Sequence, residues 1–314
     1  MEWLDEEGVG KRLRDLKRDE TAWLGADFTG RFSLAGAQAK TALLYQDGRW
    51  GVPSGTAGTS HILKPAITGF DDHDLNEHLC LSAARRAGLF AANTEIATFG
   101  DQSAIVAERY DRVASRSGWM RRIHQEDVCQ ALGLPPDRKY QNEGGPTPTA
   151  IASLLRRVLP GTQADAAVWR FFDALALNWL ICGTDAHSKN YSLLLAGRQV
   201  RLAPLYDVAS ALPYPGMPLQ KLRLAMKFGG SYLVTSRSAE MWALVGKELG
   251  LSSDLVVARA RSLMDRLPDA FSEAAREPSV AAIESTMPTR LADAVAGRVE
   301  RSKATLLGPS TIGT

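Results

Sequence analysis

Midway along the chain, Cys182-Gly183-Thr184-Asp185-Ala186-His187-Ser188-Lys189-Asn190 follows a strongly apolar segment and precedes a short β pattern. Asp185 and Asn190 are five residues apart. That is the spacing at which a carboxylate meets the hydroxyl to be phosphorylated and an amide oxygen meets Mg²⁺. Phosphoryl transfer needs little covalent help from a protein, and positioning and charge neutralisation carry most of it. Lys189, beside them, is a candidate to steady a γ-phosphate. Asp207, within Ala203-Pro204-Leu205-Tyr206-Asp207-Val208, comes 22 residues after Asp185, where a second Mg²⁺-binding carboxylate belongs. Asn190, Asp207 and phosphate oxygens together form a plausible shell for a hard cation. The local motif reads Tyr-Asp-Val, so eukaryotic protein kinases are not the match.

Such a site also needs a lysine from a strand to neutralise the α/β-phosphates of ATP. Lys64, in Thr59-Ser60-His61-Ile62-Leu63-Lys64-Pro65, is the candidate, with Glu77 on the following helix as a partner. Ser33-Leu34-Ala35-Gly36-Ala37-Gln38-Ala39-Lys40-Thr41 is a small-residue turn that suits close approach to phosphates, although it is neither a Walker A nor a GxGxxG motif. Glu108 and Tyr110 end a strand where backbone groups meet adenine. Plainer readings stand beside these. Lys64 taken alone is a solvated strand lysine. Asp185 with His187 as a hydrolase metal pair lacks a third ligand. His124 is a loop or helix-entry hydrogen bonder, since Gln125, Glu126 and Asp127 look like a helix N-terminus. Trp169, Phe171, Phe172 and Trp179 belong to a core.

The elements that must position these residues follow from patterning. Residues 1–24 predict a surface helix, with the basic run Lys11-Arg12-Leu13-Arg14, Lys17 and Arg18 as its solvated face. Short β runs at Phe32–Ala35, Thr41–Tyr45, Trp50–Val52, Thr59–Pro65, Thr94–Phe99 and Ser103–Tyr110 make residues 28–113 strand-rich, with one helix at Asp74–Ala87. Residues 121–150 predict irregular backbone around Pro135-Pro136 and Gly144-Gly145-Pro146. Beyond them helices are predicted at 150–159, 165–182, 238–249, 253–270 and 288–303, with a hairpin at Tyr191–Leu202. The expected architecture is α+β: a protein-kinase-like fold with a β-rich small lobe (1–113) and a helical large lobe (114–314).

The 314 residues are 45% hydrophobic and 23% charged, with a net charge of +2. This composition excludes a disordered, collagen-like or coiled-coil chain and exerts no global pull on nucleic acid or membrane. Three dispersed cysteines, Cys80, Cys129 and Cys182, make no disulfide framework and suit a reducing cytosol. The apolar stretch Phe171–Cys182 is interrupted by Asp173 and Asn178 and falls short of the ~20 residues of a membrane span. The acidic start has no apolar leader segment, and a cytoplasmic location is expected.

Together these residues resemble the HipA family of bacterial serine/threonine kinases, the toxins of HipA/HipB-type toxin–antitoxin systems. The resemblance spans residues 30–212. Its stretches are Phe32–Thr41, Ser60–Pro65, Asn76-Glu77, Ala107–Arg112, Ile123–Asp127, Ala131–Gly133, Lys139-Tyr140, Gly144–Pro146, Gly183–Asn190 and Pro204–Ser210, in family order. It implies Asp185 as catalytic base, assisted by Lys189, with Asn190 and Asp207 as Mg²⁺ ligands and Lys64 on the ATP phosphates. Glu108 and Tyr110 become the adenine hinge, and Gly36, Ala37, Gln38 and His187 further nucleotide contacts. Ser33 falls at the family's autophosphorylated serine, where added phosphate charge opposes ATP binding.

The resemblance further implies a protein substrate, such as an aminoacyl-tRNA synthetase, and an antitoxin of HipB type through which DNA is met indirectly. Only about 30 residues precede the Ser33 loop where full-length members carry an extra small domain. That departure resembles the shorter HipT-like form and implies a separate, small HipS-like partner. Two other classes stay open: a small-molecule kinase using the same Asp/Asn/Asp set, and a non-catalytic ATP-binding regulator or corepressor.

Overall fold

The computed structural model describes residues 1–18, 38–54, 58–67, 69–114, 120–236 and 238–306. The chain opens with β1 (Glu2–Leu4), α1 (Glu6–Arg18), β2 (Thr41–Gln46), β3 (Arg49–Val52), β4 (His61–Pro65), α2 (His73–Arg86), β5 (Thr94–Phe99) and β6 (Gln102–Glu108). The six strands form one antiparallel sheet in the order β1-β3-β2-β4-β6-β5. Pro65 ends β4 opposite Ala104, at a strand terminus where proline is tolerated.

The first helix departs from expectation. Residues 2–4 are an edge strand, and α1 is a core helix rather than a surface one. Val9, Leu13 and Leu16 recur at helical spacing, and all three are fully buried against Leu43, Leu63, Phe99, Ala104 and Val106. Three apolar residues on one stripe suffice to seat a helix on a sheet even where charges dominate the composition. Residues 19–24 and the expected strand Phe32–Ala35 lie outside the described residues.

The second part of the chain contains β7 (Arg112–Ala114), β8 (Met120–Arg122), β9 (His124–Asp127), α3 (Val128–Ala131), α4 (Pro148–Val158), α5 (Gly161–Ile181), β10 (Ser192–Ala196) and β11 (Gln199–Leu202). It continues with β12 (Arg223–Phe228), β13 (Ser231–Leu233), α6 (Ala239–Leu249), α7 (Ser253–Ala275), α8 (Pro278–Ala281) and α9 (Met287–Leu306). The stretch expected to be irregular therefore begins as strands. β9 pairs with β10 and turns the β10–β11 hairpin into a three-stranded sheet, so His124 is an exposed strand residue rather than a helix-entry group. The helix start read at Gln125–Asp127 is real at its last residue. Asp127 caps α3 through a capping box with Gln130. The β12–β13 hairpin has no counterpart in the predicted elements. α7 runs through Pro268 to Ala275 because its apolar stripe (Leu263, Leu267, Ala270, Phe271, Ala274) stays buried beyond the proline.

The larger core gathers around α5, whose buried face extends nearly all the way round from Phe171 to Ile181. Its buried Asp173 accepts both arms of Arg259, at 2.6 and 2.7 Å. Arg298, fully buried on α9, donates to the carbonyls of Trp179 and Leu180 at 2.7 and 2.9 Å and of Val234 at 2.8 Å. It thereby satisfies the carbonyls that the last turn of α5 leaves open. α2 packs on β5 and β6 and also against α7, and its Leu75, Leu79 and Ala83 belong to this larger core. The architecture is the two-lobed α+β arrangement expected. Among the described residues no helix is long and apolar enough to cross a membrane.

Candidate active site

The loop after α5 is shaped by its first two residues. Cys182 closes the helix at φ 53°, in the left-handed region. Gly183 follows, and a Cβ there would lie 2.1 Å from Asn178 Oδ1, so any larger residue would have to push the Asn178 side chain aside. The loop then winds on itself. His187 N donates to Asp185 O at 2.8 Å, Asn190 N to His187 O at 2.9 Å, and Asn190 Nδ2 to Asp185 O at 3.0 Å. Asn190 Nδ2 also lies 3.3 Å from Asp207 O, joining the two motifs that the sequence separates. The Asp185 carboxylate is exposed and accepts a hydrogen bond from Tyr140 Oη.

Facing this loop is a cluster of charge, with Lys64 and Glu77 buried and Asp207 half-buried. Lys64 on β4 donates to Glu77 Oε1 on α2 at 2.7 Å and pairs with Asp207 Oδ1 across the lobes. Lys64 and Glu77 are 6% and 2% exposed. Burial alone would depress the Lys64 ammonium, but Asp207 and then Glu77 outweigh it and hold its pKa above the ordinary lysine value. Burial would likewise raise Asp207, and the Lys64 charge outweighs it, so Asp207 is held below the carboxylate range. Glu77 goes the other way, because burial exceeds what Lys64 returns. Asp207 itself sits at φ 53°, a left-handed conformation that a non-glycine residue adopts at some cost.

Asn76 locks this cluster to the large lobe. Its side chain donates to Ser210 O at 2.8 Å and accepts from Ser210 N at 3.0 Å, three residues past Asp207. Two residues further along α2, His78 bridges Thr94 Oγ1 at 3.0 Å and Glu277 Oε2 at 3.1 Å.

The hinge between the lobes is held by an arginine clamp. Asp111 accepts from Arg109 Nε and Nη2 at 3.0 and 2.9 Å and from Arg112 Nη1 at 2.6 Å. Burial would raise Asp111, but these arginines keep it below its ordinary value. Arg109 N donates to Ser60 O at 2.8 Å, so the hinge stays aligned with β4. The Glu108 carboxylate accepts from Asn93 Nδ2 at 3.0 Å, which leaves any adenine recognition there to the backbone. The Tyr110 ring lies 5.7 Å from the ring of Tyr206, the residue before Asp207.

The structure thus gathers Lys64, Asp185, His187, Asn190 and Asp207 into one region. Gln38 lies beside them, with Nε2 3.4 Å from Pro65 O. Ser33, Gly36 and Ala37 lie outside the described residues. Lys189 is turned elsewhere, its ammonium donating to Asp127 Oδ2 at 2.7 Å at the cap of α3. Three further groups at the site have no role assigned from the sequence, although Lys40 and Tyr140 lie in stretches named above. Lys40 is 8% exposed and is lowered by burial and by the Lys64 charge. His73, the first residue of α2, is pushed down to about 4 by burial and then by Lys64. Tyr140 is the third. The spacing of His73 and Glu77, one helical turn apart, was the available signal for His73.

Around the cluster, Glu77 Oε2, His73 Nδ1 and His187 Nδ1 are buried with no hydrogen-bond partner. Buried polar atoms are normally satisfied, so the free carboxylate oxygen of Glu77 suits a cation or donor, while the neighbouring charges of Lys64 and Lys40 suit an anion. A nucleotide triphosphate with its cation fits this donor set. Among the described residues there is no cluster of three His, Cys, Asp or Glu side chains that could hold a metal ion by themselves.

Comparison with known proteins agrees with this geometry. The profile of the HipA-like C-terminal domain matches residues 32–274. A putative kinase of Sinorhizobium fredii is 38% identical over 95% of this chain and 69% of its own length. The serine/threonine-protein kinase toxin HipA of Shewanella oneidensis is 29% identical over 83% of this chain and 64% of its own. The chain therefore spans about two thirds of the length of these curated relatives. In the complex of Shewanella HipA with HipB and operator DNA, the matching chain superposes with a TM-score of 0.80 at 25% identity, over 97% of this chain and 72% of that one. The Helicobacter pylori proinflammatory kinase CtkA shares the fold at 12% identity, with a TM-score of 0.55 over 88% of this chain and 91% of its own. A profile match over most of the chain, joined to a two-lobed fold with a lysine–glutamate–aspartate cluster facing an Asp/Asn loop, makes this chain a kinase of the HipA-like C-terminal domain family.

Proposed function

We propose that this chain transfers the γ-phosphate of ATP to a serine or threonine hydroxyl of a protein and acts as the toxin of a HipB-type toxin–antitoxin module. The observation that carries the chemistry is the convergence of Lys64, Asn190 and Asp207 beside the exposed carboxylate of Asp185. The likeness to the HipA–HipB–operator complex supports the antitoxin partner, with DNA met through it. An aminoacyl-tRNA synthetase as target, a HipS-like partner and autophosphorylation at Ser33 rest on the family resemblance. We divide the lobes at residues 113 and 114, next to the arginine clamp.

In this mechanism Asp185 accepts the proton of the attacking hydroxyl, at a carboxylate that solvent and substrate can both reach. Lys64 would hold the α/β-phosphates, and Asp207 and Asn190 would hold the cation. Mg²⁺ bound there would neutralise the charge that develops between the β- and γ-phosphates. Gln38 and His187 would line the phosphates with Gly36 and Ala37, and backbone groups of Glu108 and Tyr110 would meet adenine. For Lys189 to reach a γ-phosphate, its pair with Asp127 must open.

The test is intact-mass and peptide mass spectrometry after incubation with Mg²⁺-ATP, with Asp185→Ala as control. Phosphate on Ser33 in the wild type and none in the control supports the full reading. Phosphate elsewhere retains the kinase and overturns Ser33. ATP binding without any transfer, to itself or to a protein acceptor, supports the non-catalytic regulator instead.

A further inference from the structure

The Lys139-Tyr140 pair and the Gly144-Gly145-Pro146 run stand out in the sequence, yet no step of the transfer above uses them. In the fold they form one cradle. Tyr140 O accepts from Glu143 N at 3.0 Å and from Gly145 N at 2.8 Å. A Cβ on Gly145 would lie 2.6 Å from Tyr140 O and 2.8 Å from Arg138 O, so the loop closes this tightly only around glycine. Ser188, in the catalytic loop, holds the other side: its N and Oγ both donate to Lys139 O, at 3.2 and 2.9 Å. The Tyr140 ring stands edge-on to His187 at 5.2 Å, with the Lys139 ammonium 5.1 Å from its centroid.

What this cradle presents is a phenol, and the phenol donates to Oδ1 of Asp185. The other described anchors of Asp185, His187 N and Asn190 Nδ2, hold its backbone carbonyl and leave the carboxylate free to rotate. Burial, reinforced by the Asp185 charge, pushes the phenol up, so it stays a donor. We infer that Tyr140 is a positioning residue for phosphoryl transfer, pinning Oδ1 of Asp185 so that Oδ2 faces the incoming hydroxyl of the acceptor. This rests on Asp185 being the base. A carboxylate on an exposed loop samples several rotamers, and fixing one of them favours the geometry that reacts.

The experiment uses the full chain and the substitution Tyr140→Phe, which keeps the ring and its contacts and removes the hydroxyl. Three quantities are read: phosphate incorporation from Mg²⁺-ATP (into the chain itself and into dephosphorylated casein), ATP affinity by calorimetry, and thermal midpoint. Loss of one hydrogen bond to a charged group predicts a transfer rate lower by about tenfold, with ATP affinity and midpoint unchanged. In an Asp185→Ala background the same substitution lowers the residual rate no further, because its effect passes through Asp185. Full-rate transfer by Tyr140→Phe with Asp185→Ala inactive overturns the inference alone. Faster transfer overturns it too, since the phenol would then be an obstacle. Wild-type rates in Asp185→Ala, or no transfer by the wild type, overturn the reading of Asp185 on which it rests.

Discussion

Two aspartates, Asp185 and Asp207, sit on either side of one reaction site and are held in opposite ways. Asp207 is ion-paired to Lys64, caught in a left-handed backbone conformation and tied to α2 through Ser210 and Asn76. Asp185 is exposed and neutral-bonded, with a phenol on its carboxylate and amides on its carbonyl. Groups that neutralise phosphate charge have to be in place before the nucleotide arrives, and ion pairing to buried partners keeps them there. A base has to be reached by a macromolecular substrate, which burial would prevent. Stability is therefore concentrated on one side of the site and, in the proposed reaction, chemistry on the other.

The sharpest test of that contrast is Asp185→Ala. Transfer is expected to fall about a thousandfold, the scale of a lost general base, with the thermal midpoint unmoved. A midpoint that drops as far as in the cluster variants would break the contrast. Lys64→Met attacks the other side. It leaves Glu77 buried without its cation, which costs about 3 kcal/mol in urea unfolding and also weakens ATP binding. Glu77→Gln keeps a hydrogen-bond acceptor for Lys64 while removing the charge, and its expected cost is about 1 kcal/mol.

The smallest effect concerns His73, whose folded pKa of about 4 lies below its ordinary 6.5. A group depressed on folding contributes stability above its unfolded pKa and loses it as pH falls, because the unfolded chain takes the proton first. Urea midpoints should therefore decline between pH 6.5 and 4, and more weakly in His73→Gln. An identical decline in both proteins would remove His73 from the cluster.

The motif residues were legible because phosphoryl transfer dictates type and spacing: Asp185, Asn190 and Asp207 converge as their separations require. Lys64 taken alone reads as a solvated strand lysine, and only its place before Pro65 in the family stretch marks it; the fold buries it against Glu77 and Asp207. Lys189 shows the limit of spacing, because adjacency to Asp185 does not reveal that a capping aspartate on α3 claims its ammonium. Tyr140 and His73 reach the site from a loop and a helix start whose placement is a tertiary outcome. No local pattern encodes it. The same holds for α1, where three buried side chains among many charges decided packing, and for β9, which became a strand because β10 offered it an edge.

Arg298 carries a consequence in time rather than space. The carbonyls at the end of α5, directly before the catalytic loop, are bonded by a guanidinium that is translated more than a hundred residues later. A nascent chain that has just passed Asp207 already holds Lys64, Asp185 and Asn190, yet its loop springs from a helix end with open carbonyls. These carbonyls can gain their guanidinium partner only once α9 has emerged, with its arginine lying against Trp179.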